Sequence, residues 1–223
     1  MMWKSIRNED GNIALFVLGM LSIIMILLVF VLNLGAALAT KEDSATTVQQ
    51  ASLSGSSVFY EEVRKVIYDY EDETLEGALQ AFFEDIEEDV NDRASALANS
   101  GAYNDWSRNE IEVEAFDQVL TEELNKDVVR QKLHELLRDE DIEQKVINEV
   151  KETITGNGGK LEGAVLYIRN NQFYVRAANE MEGISFDEYM EGIKENVYQE
   201  SAGPQIDFLD EIWNYSNTIP LDN

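Results

Sequence analysis

Thirty consecutive residues, Gly11 to Thr40, carry no charge, and they are closed by Asp10 on one side and Lys41 on the other. The apolar centre of this stretch runs from Ile13 to Leu32. About 20 such residues, rising about 1.5 Å each along a helix, cross the roughly 30 Å of hydrocarbon in a bilayer. The expected element is therefore a transmembrane anchor over residues 12–34, preceded by a short lead over 1–11. Gly19 and Ser22 lie three residues apart, not the four that stack small side chains for close helix approach, so they define no dimerisation face. A competing reading is a cleaved signal peptide, because Ala37-Leu38-Ala39 has the small-x-small form that precedes a cleavage site. Secretory apolar regions usually run to about 7–15 residues, and this one is longer, which favours a retained anchor.

Charge divides sharply about the anchor. The chain holds 17 basic and 44 acidic residues, and the lead contributes two of each, Lys4 and Arg7 against Glu9 and Asp10. The entire net charge of −27 thus lies after the span. Such a domain repels nucleic acid and anionic lipid surfaces, so no nucleic-acid partner is expected. Lys4 and Arg7 on the short side outweigh Lys41 on the other, which places the lead in the cytoplasm and residues 41–223 outside it. With no cysteine in the sequence, the exported part has neither a disulfide framework nor a site for lipid attachment, and its stability must come from packing.

After Lys41 no proline interrupts the chain, and Val48, Ala51, Gly55, Val58, Phe59, Val63, Val66 and Tyr70 recur at steps of three and four. This spacing predicts a helical stalk over 35–70 continuous with the anchor. Its middle, Ala51-Ser-Leu-Ser-Gly-Ser-Ser57, is built of small side chains that weaken intrinsic helicity but permit close backbone approach. Gln50, Ala51, Gly55 and Val58 are accordingly the candidate helix-contact residues. The alternative is a flexible serine-rich linker.

Four features in order bear on family: the charged lead Arg7-Asn-Glu-Asp-Gly11, the apolar span, the Asn33-Leu34-Gly35 exit, and the Gln49-Gln50-Ala51 that opens the small-residue run. In this arrangement, over roughly residues 5–60, the chain resembles the N-terminal region of the TadE/TadG-like proteins of tight-adherence (Flp) pilus assembly. The resemblance implies an envelope component that acts through protein contacts, with other envelope or pilus-assembly proteins or with itself. Family members often have Asp where Asn33 stands and an acidic residue where Leu53 stands. A processed pilin-like member carries Glu five residues after the cleavage-site glycine, where this chain has Phe16 after Gly11, so the resemblance points to an unprocessed, anchored component. The Asp-x-Ser-x-Ser start of an adhesive metal-dependent domain is not met by Asp105-Trp-Ser-Arg-Asn109.

The acidic domain, 71–223, reads as mainly α with one small antiparallel β-hairpin, an α+β fold. Asp72 or Thr74 is the expected cap of a helix whose buried stripe is Leu75, Leu79, Phe82, Phe83, Ile86, Val90, Ala94 and Leu97, ending at Asn99-Ser-Gly101. Glu84, Asp85, Glu87, Glu88 and Asp89 form a solvated face. Glu110 to Ala115 alternates strictly and is open to a short strand. Helix resumes with Val119, Leu120, Leu124, Val128, Leu133, Leu136 and Leu137, and again with Ile142, Val146, Ile147, Val150 and Ile154, about a turn at Arg138–Asp141. Ala164–Arg169 and Gln172–Ala177 flank Asn170-Asn171, the clearest hairpin signal. A helix over Ser185–Tyr198, with Phe186, Tyr189, Met190, Ile193 and Val197 on one face, is expected to cover it, and Ile206, Phe208, Leu209, Ile212, Trp213 and Tyr215 form a final docked segment.

No cofactor or metal template is satisfied. Thr74 and Gln80 break the calcium-loop pattern that starts at Asp69, and Ile154 and Leu161 break a phosphate-loop pattern around Gly156-Asn-Gly-Gly-Lys160, which reads as a helix C-cap and loop. The lone His134 sits in a helical run and has no second histidine to work with. The expectation is a non-enzymatic, membrane-anchored envelope component. A secreted acidic binding protein and a tethered carboxylate-dependent hydrolase are the alternatives.

Overall fold

The computed structural model describes residues 9–70, 72, 74–183, 194–213 and 216–222, with side chains from Ile13 onward. Its first element, α1, is one uninterrupted helix, Glu9–Tyr68. At about 1.5 Å per residue it is roughly 90 Å long, about three bilayer cores end to end. Along its first half the large apolar side chains from Ile13 to Leu38 are exposed, except for the half-buried Val29, as lipid-facing groups must be. From Ser44 onward one face is buried, through Thr47, Val48, Ala51, Ser52, Ser56, Phe59, Val63 and Ile67. The stalk and the C-terminal domain therefore share one core.

Four further helices follow: α2 (Ala78–Ala98), α3 (Arg108–Glu123), α4 (Asp127–Asp139) and α5 (Ile142–Gly156). Phe82, Ile86, Val90 and Leu97 of α2 are buried, as their spacing predicts. Its N-cap is Gly77 at φ 64°, however, and not Asp72 or Thr74. Asp72 instead accepts hydrogen bonds from Thr74 N (2.9 Å), Thr74 Oγ1 (2.6 Å) and Tyr70 Oη (3.1 Å), which tightens the loop ahead of the helix. The alternating Glu110–Ala115 segment is helical. Ser107 and Glu110 form a reciprocal capping box that starts α3 at Arg108, two residues before the alternating segment, so a local cap decides what alternation left open. In α4 the buried position is Val129, while Val128 is exposed, one step away from the expected register.

The sheet has four antiparallel strands in the order β3-β2-β1-β4: β1 (Gly159–Arg169), β2 (Gln172–Glu182), β3 (Lys194–Ala202) and β4 (Thr218–Pro220). Asn170 and Asn171 take φ 52° and 58°, the left-handed values that a two-residue turn requires at both positions. The expected covering helix is corrected here, because Lys194–Tyr198 belong to β3; residues 184–193 lie outside the described residues. The sheet is covered instead by α1 and α5. A four-residue helix, α6 (Leu209–Ile212), docks the end of the chain, with Ile206, Phe208, Leu209, Ile212 and Trp213 buried and Tyr215 outside the described residues.

The strands run along α1. Asn179 N donates to Ser44 Oγ (3.1 Å) near the membrane, whereas the Phe173 ring meets Phe59, with centroids 5.5 Å apart, farther out. The rise from Ser44 to Phe59 is about 22 Å of helix and that from Asn179 to Phe173 about 20 Å of strand, so β2 lies nearly antiparallel to α1. Beyond Phe59, α3 closes the distal end with Phe116, which packs on Tyr60 and Tyr68.

The small-residue run is the seat for this packing. A Cβ on Gly55 would fall 2.8 Å from Val150 Cγ2 of α5, and one on Gly203, just after β3, would fall 2.8 Å from Ser52 O and close to Ser56 Oγ. Overpacking at such a contact costs about 1–3 kcal/mol, which exceeds the roughly 0.8 kcal/mol of helix propensity gained on replacing glycine by leucine. Gly55→Leu is therefore expected to lower the thermal unfolding midpoint of the full chain in detergent by several degrees. An unchanged or higher midpoint would mean that α5 does not seat on Gly55.

Candidate functional site

The four helix-contact candidates separate by face. Ala51 and Gly55 are fully enclosed by the chain's own α5 and sheet. Val58 is half-buried against the same core, and Gln50 is exposed. Close approach at Gly55 is thus made within the chain. The side of α1 left open between Lys41 and Tyr68 includes Gln49, Gln50, Leu53, Ser57 and Glu61. Leu53, 48 % exposed, is the one large apolar side chain on it. This stripe continues the exposed anchor without a break, and it is the part of the stalk available to another molecule.

The buried hydroxyls facing the other way are satisfied locally. Ser44 Oγ donates to Thr40 O (2.8 Å), Ser52 Oγ to Gln49 O (2.9 Å) and Ser56 Oγ to Ser52 O (2.9 Å), so each polar atom enters the core already bonded. Ser54 Oγ also lies 2.8 Å from Thr153 Oγ1 of α5, one of the few polar bonds between the two helices.

The most unusual ionisable group is Asp117 of α3, which is only 5 % exposed. Its Oδ2 accepts from Tyr60 Oη of α1 (3.0 Å) and from Asp207 N in the C-terminal segment (3.1 Å), and it so joins three parts of the chain. Its Oδ1 is buried without a hydrogen-bond partner. Burial pushes the carboxyl up from 3.8 to about 6, against the lowering effect of the Asp207 and Tyr60 donors, with the Asp207 and Glu114 charges adding to the rise. Burial likewise raises the Tyr60 phenol, and the Asp117 charge reinforces it. No feature of the sequence marks Asp117; it follows the acidic, alternating Glu110–Ala115 run and has the look of one more solvated residue.

Among the described residues there is no cluster of three or more potential metal ligands. His134 Nε2 lies 2.6 Å from the Glu211 carbonyl, a tie between α4 and α6. An open cleft of about 250 Å³ lined by Lys65, Val66, Asp69, Tyr70, Leu136, Asp139 and Glu140 is smaller than typical ligand sites of about 300–1,000 Å³. A second open cleft, about 390 Å³ between α2 and α3, is lined mostly by charged residues, Asp89, Asp92, Arg93, Glu122 and Glu123, and lacks the apolar lining of such sites.

Residues 11–58 match the family model described as putative Flp pilus-assembly TadE/G-like. The match spans the apolar half of α1 and the small-residue seat, and it stops one residue before Phe59, where the aromatic core begins. No curated protein and no solved structure matches the chain. Among the described residues, one helix is long and apolar enough to cross a membrane, and it is the helix that carries the family match.

The Asp117 environment fixes a pH dependence. Because its folded value is raised above the ordinary 3.8 to about 6, the folded state binds the proton more tightly, and this group's contribution to stability falls as pH rises between those two values. Asp117→Asn removes the titration while keeping an acceptor for Tyr60 and Asp207. The midpoint of the wild type relative to the Asn variant is expected to drop across that window and level off above it. A difference that stays flat across the window would show that Asp117 is ionised throughout.

Proposed function

We propose that the chain is a single-pass, non-enzymatic component of a Flp-type pilus-assembly apparatus, with the lead in the cytoplasm and the acidic domain outside it. The observation that carries this reading is that one helix serves as both anchor and core. The residues that match the TadE/G-like model are those that cross the membrane and then seat the sheet and α5. A domain built on its own anchor holds a fixed attitude to the bilayer, which suits a part that positions neighbours more than one that diffuses to a substrate.

Its contacts with neighbouring envelope or pilus-assembly proteins, or with itself, are made by the open stripe of Gln49, Gln50, Leu53 and Ser57 and by the outer surfaces of the domain. The acidic surface keeps nucleic acid away. Among the described residues no assembled catalytic constellation supports the hydrolase reading. Asp117 has the raised carboxyl that such a mechanism uses, but it is enclosed and bonded to structural groups.

Two measurements test the reading. Protease added to intact spheroplasts is expected to digest the domain after Lys41, and full protection would reverse the orientation. Mass spectrometry of membrane-extracted protein is expected to find peptides that run unbroken through Ala37-Leu38-Ala39. A mature N-terminus at Thr40 would overturn the anchored reading in favour of a released binding protein, and one at Asn12 would indicate pilin-like processing.

A further inference from the structure

The outer face of the sheet, turned away from α1, is unlike the rest of this acidic chain. Basic residues are scarce, 17 in all, yet Lys160, Arg169, Arg176 and Lys194 share this face. The Arg169 guanidinium lies 4.5 Å from the Tyr174 ring centroid, and Tyr174 stacks on Tyr167 at 5.1 Å. Arg176 lies 4.2 Å over Tyr198, whose hydroxyl donates to Glu162 O (2.9 Å) and so pins the ring flat across the sheet. Tyrosine and arginine held in this way are what interface centres favour, because little side-chain freedom is left to lose. Arg176 and Glu200 are register partners, but the Arg176 guanidinium is turned onto Tyr198 and Gly163 O, while Glu200 faces the Tyr167 hydroxyl. Both charges are exposed.

The anchor limits how a second copy can meet this face. Two copies in one bilayer, related by a two-fold axis and with their anchors pointing the same way, must have that axis along the membrane normal, hence along α1 and along the strands. Pairing the open β3 edges antiparallel would need an axis perpendicular to the strands and would turn the anchors in opposite directions. Face-to-face packing about an axis between β2 and β3 obeys the constraint, and it lays β2 of one copy over β3 of the other at equal height. The observed register then sets Arg176 opposite Glu200 of the partner subunit, and Glu182 opposite Lys194 of the partner subunit, each contact occurring twice. Lys194 already pairs within its own chain with Glu182 and with Glu180 (3.3 Å), so that second contact extends an existing ion-pair cluster, and Arg176 with Glu200 is the pair that docking newly joins. Like-signed charges do not meet in these rows.

We infer that the outer sheet face is a self-association surface, through which a second copy of the anchored chain docks with Arg176 against Glu200 of the partner subunit and Lys194 against Glu182 of the partner subunit. This rests on the membrane-anchored reading above. Two strands offer less than the roughly 800 Å² per partner of a standard interface, so confinement of both copies to one membrane supplies the effective concentration that the contact needs.

The absence of cysteine from the chain makes the test clean. Full-length protein carrying Asn196→Cys, on the outer face of β3, is reconstituted into proteoliposomes and treated with a short bis-maleimide; crosslinked dimer is expected. The same reagent on Glu88→Cys, on the exposed face of α2, is expected to give little. Equal yields from the two positions would mean random collision and would overturn the proposal. In the Asn196→Cys background, Arg176→Glu and Glu200→Arg are each expected to cut the dimer about tenfold, since each sets like charges face to face. Mixing the two variants is expected to restore it, because the two acidic groups of one variant then meet the two basic groups of the other. A purely intrachain role for the pair cannot be rescued by mixing, so failure of the mixture, with circular dichroism unchanged, would sink the idea. Absence of the protein from the vesicle fraction would instead count against the anchored reading itself.

Discussion

The close approach of three elements to one face of α1 is the constraint on which the rest of this molecule depends. The 60-residue helix leaves its apolar half largely exposed, and it becomes the spine of a domain where its side chains turn small. At Ser52, Gly55 and Ser56 the backbone is near enough for α5 and the end of β3 to press against it directly, so that an added methyl group at Gly55 or Gly203 has nowhere to go. Helix propensity alone argues against such a run. Packing on both flanks outweighs it, and the serine hydroxyls escape a desolvation cost by bonding back to their own helix.

Farther from the membrane the same helix changes character. Phe59, Tyr60 and Tyr68 replace the small residues, and Phe116, Phe173, Phe208 and Trp213 close around them in edge-on and tilted contacts. The C-terminal segment is tied into this cluster by Asn171, whose carbonyl accepts from Ile206 N (2.9 Å) and whose side chain donates to Asp207 O (2.9 Å), and by Asp117. The hairpin turn, α3 and the end of the chain therefore meet at one place, which holds the sheet upright along α1. An upright sheet is what presents the Tyr–Arg face sideways, toward neighbours in the plane of the membrane, while the acidic helices α2 and α3 stand above it.

Some of this is legible in the order of residues. The uncharged run, its length, the continuation of helical spacing through Val48, Ala51, Gly55 and Phe59, the TadE/G-like arrangement and the Asn170-Asn171 hairpin all rest on local pattern, and local pattern survives folding. The Ser107–Glu110 capping box is local information too, but the strict alternation that follows it masks it. The helix expected over Ser185–Tyr198 fails over its described part for a different reason. Lys194–Tyr198 pair with β2, and that long-range ladder decides for strand there.

The sequence by itself determined the elements that need only their own residues: the anchor, by apolar length; the turn, by tolerance of positive φ; and the net negative charge of everything after the span. Tertiary structure alone decided which surface each element shows. Small residues say that something approaches closely, and only the fold says that it is the chain's own α5 and sheet at Ala51 and Gly55, leaving Gln50 and Leu53 free. Asp117 became a buried carboxylate because Tyr60 and Asp207, 57 and 90 residues away along the chain, converge on it. Arg169 and Arg176 became a shared platform because strand pairing set them over tyrosines from the same face. Contacts between residues so far apart in sequence leave no periodic trace in it, since neither partner's neighbours are altered by the meeting.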